Sequence, residues 1–246
     1  RPFSSDIAEM VRETLGAEIE VLDGLREAEL GFQAVIGSTG ANGPGPAPVT
    51  IGIGYGSTEF ATIGADGRLL RMSLPIGAST VTEHYLAGDP PRAEELSAAL
   101  SVIELYLDDL RREQPDLAAA LAQGRAEVVG LGAIRFIAEV ELGRNEGDEI
   151  EGYQLTCTAT EEVFRALATE SAGERTANPG LRPEHVDGIV GAMCVLVETM
   201  RQFGIAALRV STAGLLDGLA AVRTVGPVGH GQTSQSGGPS GSGTVH

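Results

Sequence analysis

The sequence contains no lysine and no tryptophan. All 17 basic residues are arginines, set against 34 acidic residues for a formal net charge of −17. Without lysine there is no Schiff-base chemistry and no P-loop lysine. An acidic field of this size repels nucleic acid and anionic membranes, so neither is expected as a partner. Aromatics make up only 4% of the chain, and the core must therefore be built from Leu, Val, Ile and Ala. The two cysteines, Cys157 and Cys194, lie far apart among small or apolar neighbours. They form no metal-spaced motif and read as buried free thiols, which fits a reducing cytoplasm. No apolar run reaches the length of a membrane span, and no signal-peptide pattern is seen.

What is there is ordinary for a globular chain: 246 residues, 42% hydrophobic and 21% charged, enough for one large domain or two lobes. Asp6 followed by Glu9 has the capping-box pattern, and Ile7, Met10, Val11 and Leu15 then recur at helical spacing up to Gly16. "EIEVL" (Glu18–Leu22) alternates like a strand, and "LREAELGFQAVIG" (Leu25–Gly37) reads as a second helix. "STGANGPGPAP" (Ser38–Pro48) is a flexible connection. Three strands follow it, the last two joined by an Asp66-Gly67 hairpin. Leu96, Leu100, Ile103, Leu107 and Leu110 share one face of a long helix. "AEVVGLG" is a buried strand before the helix "AIRFIAEVEL", and another helix runs through "EEVFRALATES". Pro183 opens a helix with Val186, Ile189, Val190, Met193, Val197 and Met200 inward. "ALRVS" is a last strand and "LLDGLAAVR" a last helix. After Arg223 the composition falls to Gly, Ser, Pro and Gln, the signature of a disordered tail. Antiparallel strands first, then strands alternating with helices, argue an α/β fold with a mixed sheet.

The stretch "IGIGYGSTEF" (Ile51–Phe60) carries the main functional signal. A glycine-rich turn between two strands leaves backbone N–H groups pointing one way, and such a nest binds anions. Ser57 and Thr58 add hydroxyl donors. A turn of this kind is more often structural than functional, and a carboxylate on a separate helix, Glu27, strengthens the functional reading only if the fold brings it near.

The loop resembles the second phosphate loop of the exopolyphosphatase and guanosine pentaphosphate phosphatase family, which reads Asp-Ile-Gly-Gly-Gly-Ser-Thr-Glu. "EVLDGLREAELGF" (Glu20–Phe32) resembles the segment around that family's catalytic Glu. "SLPIGASTVTEHYLAGDPP" (Ser73–Pro91), "PGLRPEHVDGIVGAM" (Pro179–Met193) and "VSTAGLLDGLA" (Val210–Ala220) are similar to three further motifs, all in family order. The resemblance implies the actin-like, sugar-kinase-like ATPase class, two lobes each with a ribonuclease H-like mixed sheet. On this reading residues 1–36 are a remnant of the first lobe, a helix–strand–helix carrying Glu27. Residues 37–225 form an essentially complete second lobe, and 226–246 are the tail. Most of the first lobe, including another phosphate loop on the order of a hundred residues upstream, is missing from the sequence. The remnant must then dock on the second lobe, pair with a second copy as a homodimer, or belong to a longer protein.

The resemblance also implies chemistry: Mg²⁺-assisted hydrolysis of the terminal phosphoanhydride of polyphosphate or guanosine pentaphosphate. Glu27 is the implied catalytic base, Gly54, Gly56, Ser57 and Thr58 the implied phosphate cradle, and Glu59 an implied metal ligand. At the start of its helix, Glu27 is expected to be held ionised by the helix dipole. Several motif positions depart from the family. Gly52 stands for the loop's leading Asp, and Tyr55 stands for its middle Gly, where a side chain needs the room of an approaching phosphate. Thr80 and His185 stand for arginines, Thr212 for a Glu, and of a Gly-Gly-Thr turn only Gly132 survives. These departures support a second function: a degenerate homologue that binds a nucleotide or a partner without turnover. A fragment with no independent function is the third. His84 and His185 have no metal-spaced partners and read as structural or surface residues.

Overall fold

The structure is a computed structural model that describes residues 3–39, 46–144 and 150–225. In chain order the elements are α1 (Phe3–Leu15), α2 (Gly24–Thr39), β1 (Val49–Ile53), β2 (Thr58–Ile63), β3 (Leu69–Leu74) and α3 (Ala78–Tyr85). Then come α4 (Ala93–Glu113), α5 (Pro115–Ala122), β4 (Val128–Gly132), α6 (Ala133–Leu142), β5 (Gln154–Thr156) and α7 (Cys157–Leu167). The chain continues through α8 (Ala172–Arg175), a 3-10 turn (Pro183–His185), α9 (Ile189–Phe203), β6 (Ala207–Val210) and α10 (Leu215–Val225).

The strands form one mixed sheet in the order β3-β2-β1-β4-β6-β5. β1, β4 and β6 run parallel, while β2, β3 and β5 are antiparallel to their neighbours. β1 is buried almost throughout, with Val49, Ile51 and Ile53 inside, as a parallel strand covered on both faces should be. On one face lie α2 and α10, packed on each other and, through α2, on β1, β2 and β3. Ala28 and Phe32 of α2 meet Ala61, and Val35 meets Val129 and Leu131. The other face carries the main core, centred on α9 with α3, α4, α6 and α7 around it. Each fully buried Leu or Ile there contributes about 1.5–3 kcal/mol.

The differences from the sequence-based expectations have physical reasons. Thirteen of the fifteen α9 residues are buried, so this helix is enclosed on all sides rather than along one stripe. Pro183 opens only the short 3-10 turn, and α9 starts at Ile189 after Gly188. Glu18–Leu22 forms no strand: Ile19 and Val21 are exposed and no sheet edge pairs with them. Alternation without a partner leaves backbone groups to water. Asp6 lies inside α1 and not at its N-cap, whereas Gly16 does end that helix at φ +63°. Cys194 is buried, but Cys157 is only partly so. The connection Ser38–Pro48 lies partly outside the described residues, and the tail 226–246 lies wholly outside them.

Candidate active site

A cavity of about 290 Å³ opens at the carboxyl ends of β1, β4 and β6. This is where loops leave a parallel sheet and where α/β folds place ligands. Its lining includes Glu27 from α2, Gly52 and Gly54 from β1 and its following loop, Glu59 from β2, Arg135 from α6, and Ser211 and Thr212 after β6. A second cavity of about 430 Å³ shares Ile53, Gly54, Gly132 and Phe136 with the first.

Glu27 occupies the first turn of α2, where the Asp23 carboxylate accepts from the Arg26 amide at 2.8 Å. The expected dipole stabilisation is outweighed. Burial, and then the negative charge of Asp23, push the Glu27 carboxyl above the ordinary carboxylate value. Glu59 is 8% exposed and faces the open space beside Gly52, its partner across the β1–β2 ladder. The Ser73 hydroxyl donates to Glu59 Oε1 at 3.0 Å. Burial raises the Glu59 carboxyl, hydrogen bonds from Ser57 and Ser73 lower it, the charge of Glu27 raises it, and the net shift is upward. The charge of Glu27 thus acts on Glu59 in a poorly hydrated space, with no arginine among the causes of either shift.

The glycine loop is held by its carbonyls. Gly54 N–H donates to the Ser57 carbonyl at 2.9 Å. The Gly54 carbonyl accepts from Ala78 N–H at 2.9 Å, and the Tyr55 carbonyl accepts from Ser79 N–H at 2.8 Å, both at the start of α3. A Cβ on Gly77 would lie 2.6 Å from the Ser57 nitrogen and 2.7 Å from the Gly54 oxygen, so only glycine permits this approach. Trans peptide geometry then turns the Tyr55 and Gly56 amides away from α3. Among the described residues neither amide has an acceptor. The Tyr55 side chain is 64% exposed and lines only the second cavity, so the ring does not fill the space beside Glu27 and Glu59.

Of the residues singled out in the sequence, the fold brings Glu27, Gly54 and Glu59 to one cavity. Gly56, Ser57 and Thr58 do not line it. Thr58 is fully buried, and its hydroxyl donates to the Ile76 carbonyl at 2.6 Å, so it anchors the strand instead of offering a donor to a ligand. Thr80 closes the start of α3, its Oγ1 accepting from Gly77 N–H at 2.6 Å. His185 stacks on Phe136 with ring centroids 3.5 Å apart, and burial lowers its pKa. His84 is exposed at the surface of α3.

The family model described as the Ppx/GppA phosphatase family matches residues 3–222. The chain belongs to the Ppx/GppA phosphatase family. Exopolyphosphatase 2 of Mycobacterium tuberculosis is 30% identical over 211 residues, covering 83% of this chain and 64% of that protein. Exopolyphosphatase 1 of Mycobacterium leprae is 26% identical over 222 residues, covering 88% of this chain and 62% of that protein. The chain therefore spans less than two thirds of the length of these relatives. The Aquifex aeolicus Ppx/GppA enzyme superposes with a TM-score of 0.73 at 23% identity, covering 89% of this chain and 70% of that one. An exopolyphosphatase from Cytophaga hutchinsonii gives 0.72 at 23% identity, covering 90% of this chain and 70% of that one. These likenesses confirm the actin-like ATPase fold with its mixed sheet.

Within this Ppx/GppA chain Glu27 and Glu59 are the carboxylates of the cavity that could meet a metal ion. Among the described residues no three His, Cys, Asp or Glu side chains cluster into a metal cage. Mg²⁺ needs no such cage when substrate phosphates and water complete its octahedron around one or two carboxylates. Glu59, partly desolvated and open toward Gly52, is the donor that suits this arrangement, with Glu27 adjacent.

Sequence reading missed Arg135 and Glu151. Arg135 hides in an amphipathic helix pattern, although it stands four residues before Glu139 and so at ion-pair spacing. Glu151 accepts from the Thr212 amide at 2.5 Å and the Thr212 hydroxyl at 2.9 Å, fixing the loop after β6. That contact joins residues 61 apart and leaves no local sequence signal.

Proposed function

We propose that the chain hydrolyses the terminal phosphoanhydride of polyphosphate, with Glu27 as the general base. The observation that carries this reading is the pairing of Glu27 with Glu59 in one cavity, both raised, with Gly54 of the glycine loop in the same lining. Its support from relatives is the name exopolyphosphatase borne by proteins 25–30% identical to it.

In this reading Arg135 takes the phosphate oxygens, with Gly54 in the same lining. Water lies against Glu27 and attacks the terminal phosphorus in line. Glu27 accepts the water proton as the new P–O bond forms. The bridging P–O bond breaks, and its electron pair leaves with the shortened chain. A bound Mg²⁺ would supply charge neutralisation at the phosphate oxygens, held by Glu59 and the phosphates themselves. The raised Glu27 value suits a base, because proton transfer is most efficient when the catalytic pKa lies nearer the working pH. Guanosine pentaphosphate carries the same anhydride and is the alternative substrate.

The second reading is a nucleotide- or partner-binding homologue without turnover. Gly52 supports it, because that position offers no carboxylate beside Glu59. Phosphate release from polyphosphate with Mg²⁺ separates the two. Glu27→Gln is expected to lower the rate about 10²–10⁴-fold with folding intact. A rate within about twofold of the parent would remove Glu27 from the chemistry.

A further inference from the structure

A phosphate in this cavity faces two carboxylates in a lysine-free chain with a large negative charge. Some fixed positive charge must offset them, and Arg135 is the one basic side chain among the described residues lining the cavity. The second cavity has none in its lining; it carries Glu83, Glu184 and Asp187 instead.

Arg135 sits in the first turn of α6, directly after β4. Its Nε donates to Glu139 Oε1 at 2.9 Å. Glu139 is fully buried, and its Oε1 also accepts from Arg182 Nη2 at 3.3 Å. The stem of the guanidinium is thus clamped by a carboxylate that has no access to water. The Arg135 side chain remains 34% exposed, and its two Nη groups have no acceptor among the described residues. This is a fork held at its base with its tines open. α2 lies on one face of the sheet and α6 on the other, so the acid of Glu27 and the cation of Arg135 reach the cavity from opposite sides of the strand ends. Among the described residues Arg135 pairs with Glu139 and makes no ion pair with Glu27 or Glu59.

We infer that Arg135 is a substrate-binding residue whose guanidinium grips the terminal phosphoryl oxygens across the cavity from Glu27, with Glu139 as its positioning residue. A planar fork suits two phosphate oxygens at once. The inference rests on the cavity being the phosphate site proposed above, but it does not require turnover.

The test uses inorganic triphosphate with Mg²⁺, measured by calorimetry in the Glu27→Gln protein, where hydrolysis does not interfere. Arg135→Gln is expected to weaken binding by about 10–100-fold, the worth of a charged hydrogen-bonded pair. Arg135→Lys should recover only part of it, because a point charge does not reproduce the fork. Since Arg135→Gln leaves the buried Glu139 with less compensation, the pair Arg135→Gln/Glu139→Gln serves as the variant that removes both charges, and it should show the same loss. In the hydrolysing parent, Arg135→Gln should raise KM for polyphosphate more than it lowers kcat. Triphosphate affinity unchanged in the folded double variant would overturn the inference, even if the parent hydrolyses polyphosphate. Arg135-dependent binding in a parent that releases no phosphate would uphold it while removing the hydrolase reading. A parent that binds no triphosphate would overturn the inference as well.

Discussion

Two cavities lie side by side at the same strand ends and share a wall made of Ile53, Gly54, Gly132 and Phe136. The first holds charges of both signs: Glu27 and Glu59 on one side, Arg135 on the other. The second holds Glu83, Glu184 and Asp187 with no arginine in its lining. Its histidine does not compensate, because burial lowers the His185 pKa and leaves the ring neutral at pH 7. The first cavity therefore offers an anion one fixed cation, Arg135, and the second offers it none. The contrast also explains what two departures from the family pattern mean here. Thr80 and His185, where the resemblance leads one to look for arginines, both serve structure, one closing α3 and the other stacking on Phe136. Positive charge enters instead from α6.

The largest effect is expected from breaking the shared wall. Gly132 has φ +65°, and a Cβ there would lie 2.4 Å from the Ile53 carbonyl oxygen. Gly132→Ala must move β1 or unwind the start of α6, and a loss of about 3 kcal/mol or more in urea-unfolding stability is expected. Triphosphate binding should fall with it. A loss below about 1 kcal/mol would mean that the wall yields easily.

A smaller effect, confined to the first cavity, is expected from Glu59→Gln. Glu59 has a raised pKa in the fold, so its ionised form costs stability there. Below the unfolded value of 4.5 the group is protonated in both states and no penalty exists. The penalty grows as pH rises from 4.5 through the raised folded value. Glu59→Gln should therefore gain a few degrees in Tm at pH 7–8 and nothing near pH 4, while losing the Mg²⁺-dependent part of triphosphate affinity. Equal Tm values across that range would show that Glu59 is not desolvated. The same direction of shift on Glu27 puts the acid limb of any pH–rate profile above the usual carboxylate value.

The smallest effect belongs to the second cavity. Tyr55→Gly removes an exposed ring from a loop whose backbone is fixed by α3, and triphosphate affinity should stay within about twofold. A tighter complex would mean that the ring reaches over the first cavity.

Much of the fold was legible because local patterns and packing agreed. The three antiparallel strands, the Asp66-Gly67 turn with Gly67 at φ +79°, and the apolar face of α4 follow from alternation, turn chemistry and helical spacing. The Glu18–Leu22 stretch shows the limit of such patterns, since a strand exists only where another strand offers it hydrogen bonds. Within the site, the glycine-rich β1–β2 loop was legible as a turn, whereas the close approach that requires glycine at Gly77 came only from its packing against that loop.

By itself the sequence determined the mixed α/β class, the all-arginine basic set and the loop at Gly54. Only the tertiary structure decided which of the nominated residues share a cavity. It sent the Thr58 hydroxyl inward to Ile76 and the Tyr55 ring outward, and it set Arg135 in the same cavity as Glu27. Those outcomes depend on burial and on contacts between residues far apart in the chain. Burial is what lifts Glu27 and Glu59, and a carboxylate's solvation is a property of everything packed around it.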